Sequence, residues 1–281
     1  DIEIFHPSNR PYLTSVESSM PEIRAWNHQP AYLSDAGVID ICQDAGVSTV
    51  LTDIQFTDTD HDSVFVKGFS QNVGLIQNAN IVITRTNPFD PFSNLNTFSI
   101  DVTPETGQSG FCTVDLLAID GLDTLTHQIV VNVYPQPTAN ASLDQQICAD
   151  SPTTSLTGSF NGSTGVLWTS SGTGFFGNTT SAATTYTASG ADITAGTVTL
   201  TLTTTGNGAC AGDSDDMILT INALPNVDGG IDLTVCDGDN VTLSGSGAQI
   251  YAWDNGISNA VPFTATSTTT YTVTGTDANG C

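Results

Sequence analysis

The chain has 281 residues and sets 29 acidic against 4 basic side chains, a formal net charge of −25. The cations are Arg10, Arg24, Lys67 and Arg85, and the 196 residues from Thr86 to Cys281 contain neither Lys nor Arg. This excludes nucleic acid as a partner and docking on an anionic membrane by a basic patch, because both need clustered positive charge.

Only 12% of residues are charged, so this is not a charged disordered chain; Thr, Ser, Gly, Asn and Asp fill most of the polar positions beside 26 Gly and 12 Pro. That mixture suits short β-strands joined by turns. No run of 18 apolar residues occurs, so direct membrane insertion by a helix is not expected. No signal peptide or initiator Met precedes Asp1, so the chain reads as a processed form or an excised piece.

Residues 1–29 match nothing else in the chain and read as an N-terminal extension or the end of a preceding domain. Residues 30–135 open on Ile39-Asp40-Ile41-Cys42 and close on His127-Gln128-Ile129-Val130-Val131-Asn132-Val133 before Pro135. Residues 136–224 carry Gln146-Ile147-Cys148, then Val166-Leu167-Trp168, Thr184-Thr185-Tyr186-Thr187 and Cys210, and close on Met217-Ile218-Leu219-Thr220-Ile221-Asn222 before Pro225. Residues 225–281 repeat that order with Thr234-Val235-Cys236, Tyr251-Ala252-Trp253, Thr269-Thr270-Tyr271-Thr272 and Cys281. The offset is 88 at the first cysteine and 85 at both Trp and Tyr, which marks two copies of one unit. Residues 30–135 are a more distant third copy.

Alternation such as Thr197-Val198-Thr199-Leu200-Thr201-Leu202-Thr203 predicts strands with one face inward and a Thr face in water. The expected fold is all-β: tandem immunoglobulin-like sandwiches in a linear array, with Trp168 and Trp253 in the cores and one disulfide per domain. The 225–281 unit ends before a counterpart of the final strand, so it is expected either to be truncated or to be completed by a strand from elsewhere. Six cysteines fall two per unit, and the simple pairing is Cys42 with Cys112, Cys148 with Cys210, and Cys236 with Cys281. Buried free thiols are the alternative. No pair has metal-ligand spacing, and disulfides imply an oxidising compartment.

The stretch Asp58-Thr59-Asp60-His61-Asp62 alternates carboxylates that can present oxygens to one Ca²⁺, with a solvated acidic turn as the competing reading. No other cofactor is indicated. The four histidines form no arrangement with Ser or Cys that marks a nucleophile and base, and no Gly-rich loop opens a helix. An enzyme is therefore not expected. Phe175-Phe176, after Gly172-Thr173-Gly174, reads as a strand start packing inward rather than a sugar platform.

The pattern Val241-Thr242-Leu243-Ser244-Gly245-Ser246-Gly247, then Trp253-Asp254-Asn255-Gly256, then Thr270-Tyr271-Thr272-Val273-Thr274-Gly275-Thr276-Asp277-Ala278-Asn279-Gly280-Cys281 resembles the immunoglobulin-like repeats of very large Bacteroidota surface proteins. These include gliding-motility adhesins and type IX secretion cargo. The resemblance is close over 236–281, good over 137–225, weak over 29–135 and absent before that. It implies export to the bacterial cell surface through secretion machinery, and a long stalk of neighbouring repeats meeting extracellular polysaccharide or protein ligands. In that setting Asp62-Ser63-Val64 and Asp123-Thr124-Leu125 resemble O-glycosylation acceptors, at Ser63 and Thr124. Two other roles compete: glycan-binding modules of a secreted carbohydrate-active enzyme, and a fibre subunit completed by a donor strand.

Overall fold

A computed structural model describes residues 30–33, 38–44, 46, 48–58, 64–88, 94–121 and 123–281. Among them no helix is long and apolar enough to cross a membrane. The chain forms two compact units, one of residues 1–137 with 206–212, the other of 138–205 with 213–281.

The first unit holds a sandwich of two four-stranded sheets. Strands β1 (Ala31–Tyr32), β3 (Ser48–Thr57), β6 (Leu95–Val102) and β5 (Ile81–Arg85) make one sheet in the order β1-β3-β6-β5. Strands β2 (Val38–Cys42), β8 (Asp123–Tyr134), β7 (Gly110–Asp120) and β4 (Phe65–Ser70) make the other in the order β2-β8-β7-β4. All neighbours are antiparallel except β2, which runs parallel to β8. The period-2 pattern explains the layering. On β7, Cys112, Val114, Leu116 and Ala118 point inward and are buried, while the residues between them are partly exposed. Ile39 and Ile41 of β2, Phe56 of β3 and Ile100 of β6 complete the core. Each fully buried side chain of this size contributes roughly 1.5–3 kcal/mol relative to exposure.

The second unit repeats the plan. Strands β10 (Gln145–Cys148), β17 (Ser214–Asn222), β16 (Thr197–Thr205) and β13 (Gly165–Ser170) form a sheet in the order β10-β17-β16-β13, with β10 parallel to β17. Opposite lie β11 (Thr153–Thr157), β15 (Ala183–Thr187) and β14 (Phe175–Phe176), with β12 (Ser159–Asn161) paired to β9 (Thr138–Asn140). Trp168, 1% exposed, occupies the core, and its indole N–H donates to the Ala182 carbonyl at 3.3 Å. Phe176 packs on Trp168 and Tyr186 with ring centroids 6.0 and 4.9 Å away, whereas Phe175 faces solvent. A helix of one and a half turns, α1 (Gly190–Ala195), links β15 to β16.

The last strands are short. β18 (Asn240–Val241) pairs with β20 (Phe263–Thr264), and β19 (Ile250–Trp253) pairs with β21 (Val273–Thr276). No residue after Ile221 is buried. Trp253 is only half-buried, its indole N–H donating to Asn259 at 3.0 Å. The reason lies in strand count. In the two sandwiches, β7 and β16 each have neighbours on both edges; β21 has one on a single edge.

Candidate functional site

The cysteines are the most informative chemistry in the chain. Cys42 is bonded to Cys210 and Cys148 to Cys281, with Cα separations of 4.8 and 5.5 Å. Cys112 and Cys236 are free thiols, the first buried and the second exposed. The expected pairs Cys42–Cys112, Cys148–Cys210 and Cys236–Cys281 are therefore corrected.

Strand register gives the reason. Cys42 stands opposite Tyr134 on one side of β8, and Cys112 stands opposite Val131 on the other side. Two strand spacings of about 4.8 Å, plus three residues along the strand, exceed the roughly 7 Å limit of a disulfide. Likewise Cys148 stands opposite Asn222 at one end of β17, while Cys210 lies in the β16–β17 connection, before Ser214 at the other end. The two cysteines of one sandwich sit at opposite ends and cannot meet. Each cysteine at the end of a parallel edge strand instead bonds a turn cysteine of the next repeat in sequence.

The Cys210 turn is fitted to its partner. Gly208 has φ +60°, and a Cβ there would collide with the Tyr134 ring. The N–H of Gln43, beside Cys42, donates to the Tyr134 carbonyl at 2.7 Å. Cysteine 281 follows a similar Asn279-Gly280 turn, with Gly280 at φ +86°.

Burial pushes the Cys112 thiol above its ordinary pKa, and the Ser70 hydroxyl opposes this only partly. A buried protonated thiol is a poor nucleophile. In the folded 281-residue chain, an alkylating maleimide should modify Cys236 at least tenfold faster than Cys112, and mass mapping of the labelled peptides checks this. Equal rates would contradict the burial of Cys112.

The acidic stretch is only partly within the described residues. Asp58 is buried after β3, its N–H donating to the Asn94 carbonyl at 2.9 Å. Asp60, Asp62 and Ser63 lie outside the described residues. Thr124 is exposed near the start of β8. Among the described residues no group of three or more His, Cys, Asp or Glu could hold a metal ion.

Sequence reasoning missed a buried polar hub. The Asp192 carboxylate is 3% exposed and accepts from the N–H groups of Thr173 and Gly174 at 2.8 Å and Ser189 at 3.0 Å. It also accepts from the Tyr186 hydroxyl at 2.9 Å. Ser189 caps α1, and Asp192 closes a capping box by taking the Ser189 N–H. Burial pushes the Asp192 pKa up, but hydrogen bonds from Ser189, Thr173, Tyr186 and Gly174 outweigh it and hold it below the ordinary value. The Ser189-Gly190-Ala191-Asp192 string was the available signal. This network is structural: it ties the β13–β14 turn and the β15 strand to α1.

No family model and no curated protein matches the chain. Among solved structures, the titin fragment I67–I69 matches with a TM-score of 0.50 at 13% identity, covering 85% of this chain and 83% of that one. An E-to-A variant of the same three titin domains gives the same score over 82% of its length. The N-terminal eight immunoglobulin domains of Down Syndrome Cell Adhesion Molecule give 0.31 at 12% identity, covering 82% of this chain and 34% of that one. With the titin match and the strand orders above, the fold of this chain is all-β, built of tandem immunoglobulin-like sandwiches.

Proposed function

We propose that the chain is a non-enzymatic structural and adhesive segment of a large secreted bacterial surface adhesin of the gliding-motility kind. Its sandwiches act as a spacer between the cell and an extracellular polysaccharide or protein ligand. The observation that carries this reading is the placement of the disulfides, which join one repeat to the next rather than closing each repeat on itself. Such bonds stiffen a series of modules against separation and persist only where thiols are oxidised, outside the cytoplasm. The net charge of −25 favours solubility and mutual repulsion of such segments at a surface. The sequence resemblance to Bacteroidota surface repeats supplies the type IX secretion context. The neighbouring repeats are the immediate partners.

One observation favours a second reading. Among the described residues β21 has a strand on one edge only, and its other edge suits a strand from another molecule, as in a fibre subunit. Intact mass under non-reducing conditions separates the two. A polypeptide of hundreds of kilodaltons is expected for the adhesin. A native chain near 29 kDa would remove the adhesin reading and leave the fibre.

A further inference from the structure

One bond type recurs at one place in the repeat. In both sandwiches the cysteine that ends the parallel edge strand, Cys42 after β2 and Cys148 after β10, is bonded. Its partner in each case follows an Asn-Gly turn of the next repeat, Asn207-Gly208-Ala209-Cys210 and Asn279-Gly280-Cys281. Cys236 is the third cysteine of the first kind. It follows Ile231-Asp232-Leu233-Thr234-Val235 and precedes an acidic turn, in which its N–H donates to Asp239 at 3.0 Å. Its thiol is free and exposed.

A second observation is independent of the thiol. The stretch leading to Cys236 lies open, with Ile231 85%, Leu233 51% and Val235 44% exposed. Its counterparts Ile39 and Ile41 in β2 are buried, held parallel to the last strand of their sandwich. That last strand also pairs antiparallel with β7 in one sandwich, and its counterpart pairs with β16 in the other. Among the described residues no strand lies on the corresponding edge of β21. The exposed stretch Ile231–Cys236 and the edge of β21 thus correspond to the two flanks of the last strand in the complete sandwiches, and together they define a slot for such a strand.

We propose that this slot receives another module of the same repeat kind. A strand of alternating apolar residues, like Met217–Ile221, lies between residues 231–236 and β21. The module joined to that strand supplies a cysteine after an Asn-Gly turn, which bonds Cys236. Bond formation removes two protons and two electrons from the two thiols. The acceptor is the disulfide of an exported thiol–disulfide oxidoreductase. The thiolate of one cysteine attacks that disulfide and forms a mixed disulfide. The second thiolate then displaces the oxidoreductase sulfur, which leaves as a dithiol.

The test uses the polypeptide as cells export it, with free thiols alkylated before non-reducing digestion and mass spectrometry. More than nine-tenths of Cys236 should appear joined to a peptide, distinct from those of Cys210 and Cys281, in which Asn-Gly precedes Cys. Alkylated Cys236, a bond to Cys112, Cys210 or Cys281, or a Cys236–Cys236 bond between copies would each overturn the proposal. Hydrogen exchange reads the strand separately. Amides of Ile231–Cys236 should exchange at least a hundredfold more slowly in the exported polypeptide than in the 281-residue chain, and equal rates would overturn the strand insertion. Neither readout depends on the adhesive reading, which the intact mass tests by itself.

Discussion

Replacing Cys148 and Cys281 together with serine is expected to unfold the strands β18–β21 while leaving the second sandwich folded. The bond spans 133 residues, and closing a loop of that length restricts the unfolded chain by about 5 kcal/mol in the loop-entropy limit. Few other interactions oppose its loss. No side chain after Ile221 is buried, and β19–β21 is a four-residue pair without a second neighbour. A two-stranded pair is marginal by itself in water. The second sandwich keeps Trp168, Leu200, Leu202 and Leu219 in a closed core. Hydrogen exchange should therefore show amides of Tyr251–Trp253 becoming labile in the double variant, with β16 and β17 still protected. Retained protection at Tyr251–Trp253 would show that local contacts, rather than the crosslink, order these strands.

Asp192→Ala should destabilise the second sandwich by about 3–4 kcal/mol, with Asp192→Asn costing roughly half as much. The alanine leaves three backbone N–H groups and the Tyr186 hydroxyl without their shared acceptor. The asparagine keeps one oxygen, but its amide group faces donors. Urea denaturation followed by Trp168 fluorescence reads both, and a loss under 1 kcal/mol for alanine would contradict the hub. The same group gives a pH dependence. Its folded pKa is depressed, so its contribution is present above the unfolded value of about 3.9 and is lost as pH falls through the lower folded value. The alanine variant should lack that part of the acid destabilisation.

The sandwich layers were legible because Thr alternates with Val and Leu at strand period, as in Thr197–Thr205, where Val198, Leu200 and Leu202 turn inward. Phe176 and Tyr186 pack inward as their neighbourhoods suggested, although Phe175 does not. The cysteine pairing was not legible from copy number alone, because same-copy and next-copy bonds leave the same count. Register decides between them. Reading Thr197–Thr203 and Met217–Asn222 as one hairpin places Cys210 at its tip, away from Asn222 and hence from Cys148. α1 escaped notice because six residues are too few for a helical apolar period.

The two disulfides interlock, since Cys148 lies inside the span closed by Cys42–Cys210 and Cys210 lies inside the span closed by Cys148–Cys281. Consider tension applied between Cys42 and Cys281. With both bonds intact, load enters at Cys42, crosses to Cys210, runs back along 62 residues to Cys148 and crosses to Cys281. Fully stretched, that path is about 200 Å long, against about 800 Å for the unbridged chain. The bonds thus act as a built-in stop on contour length: tension on this segment would meet a short limit, set by sulfur chemistry rather than by strand pairing.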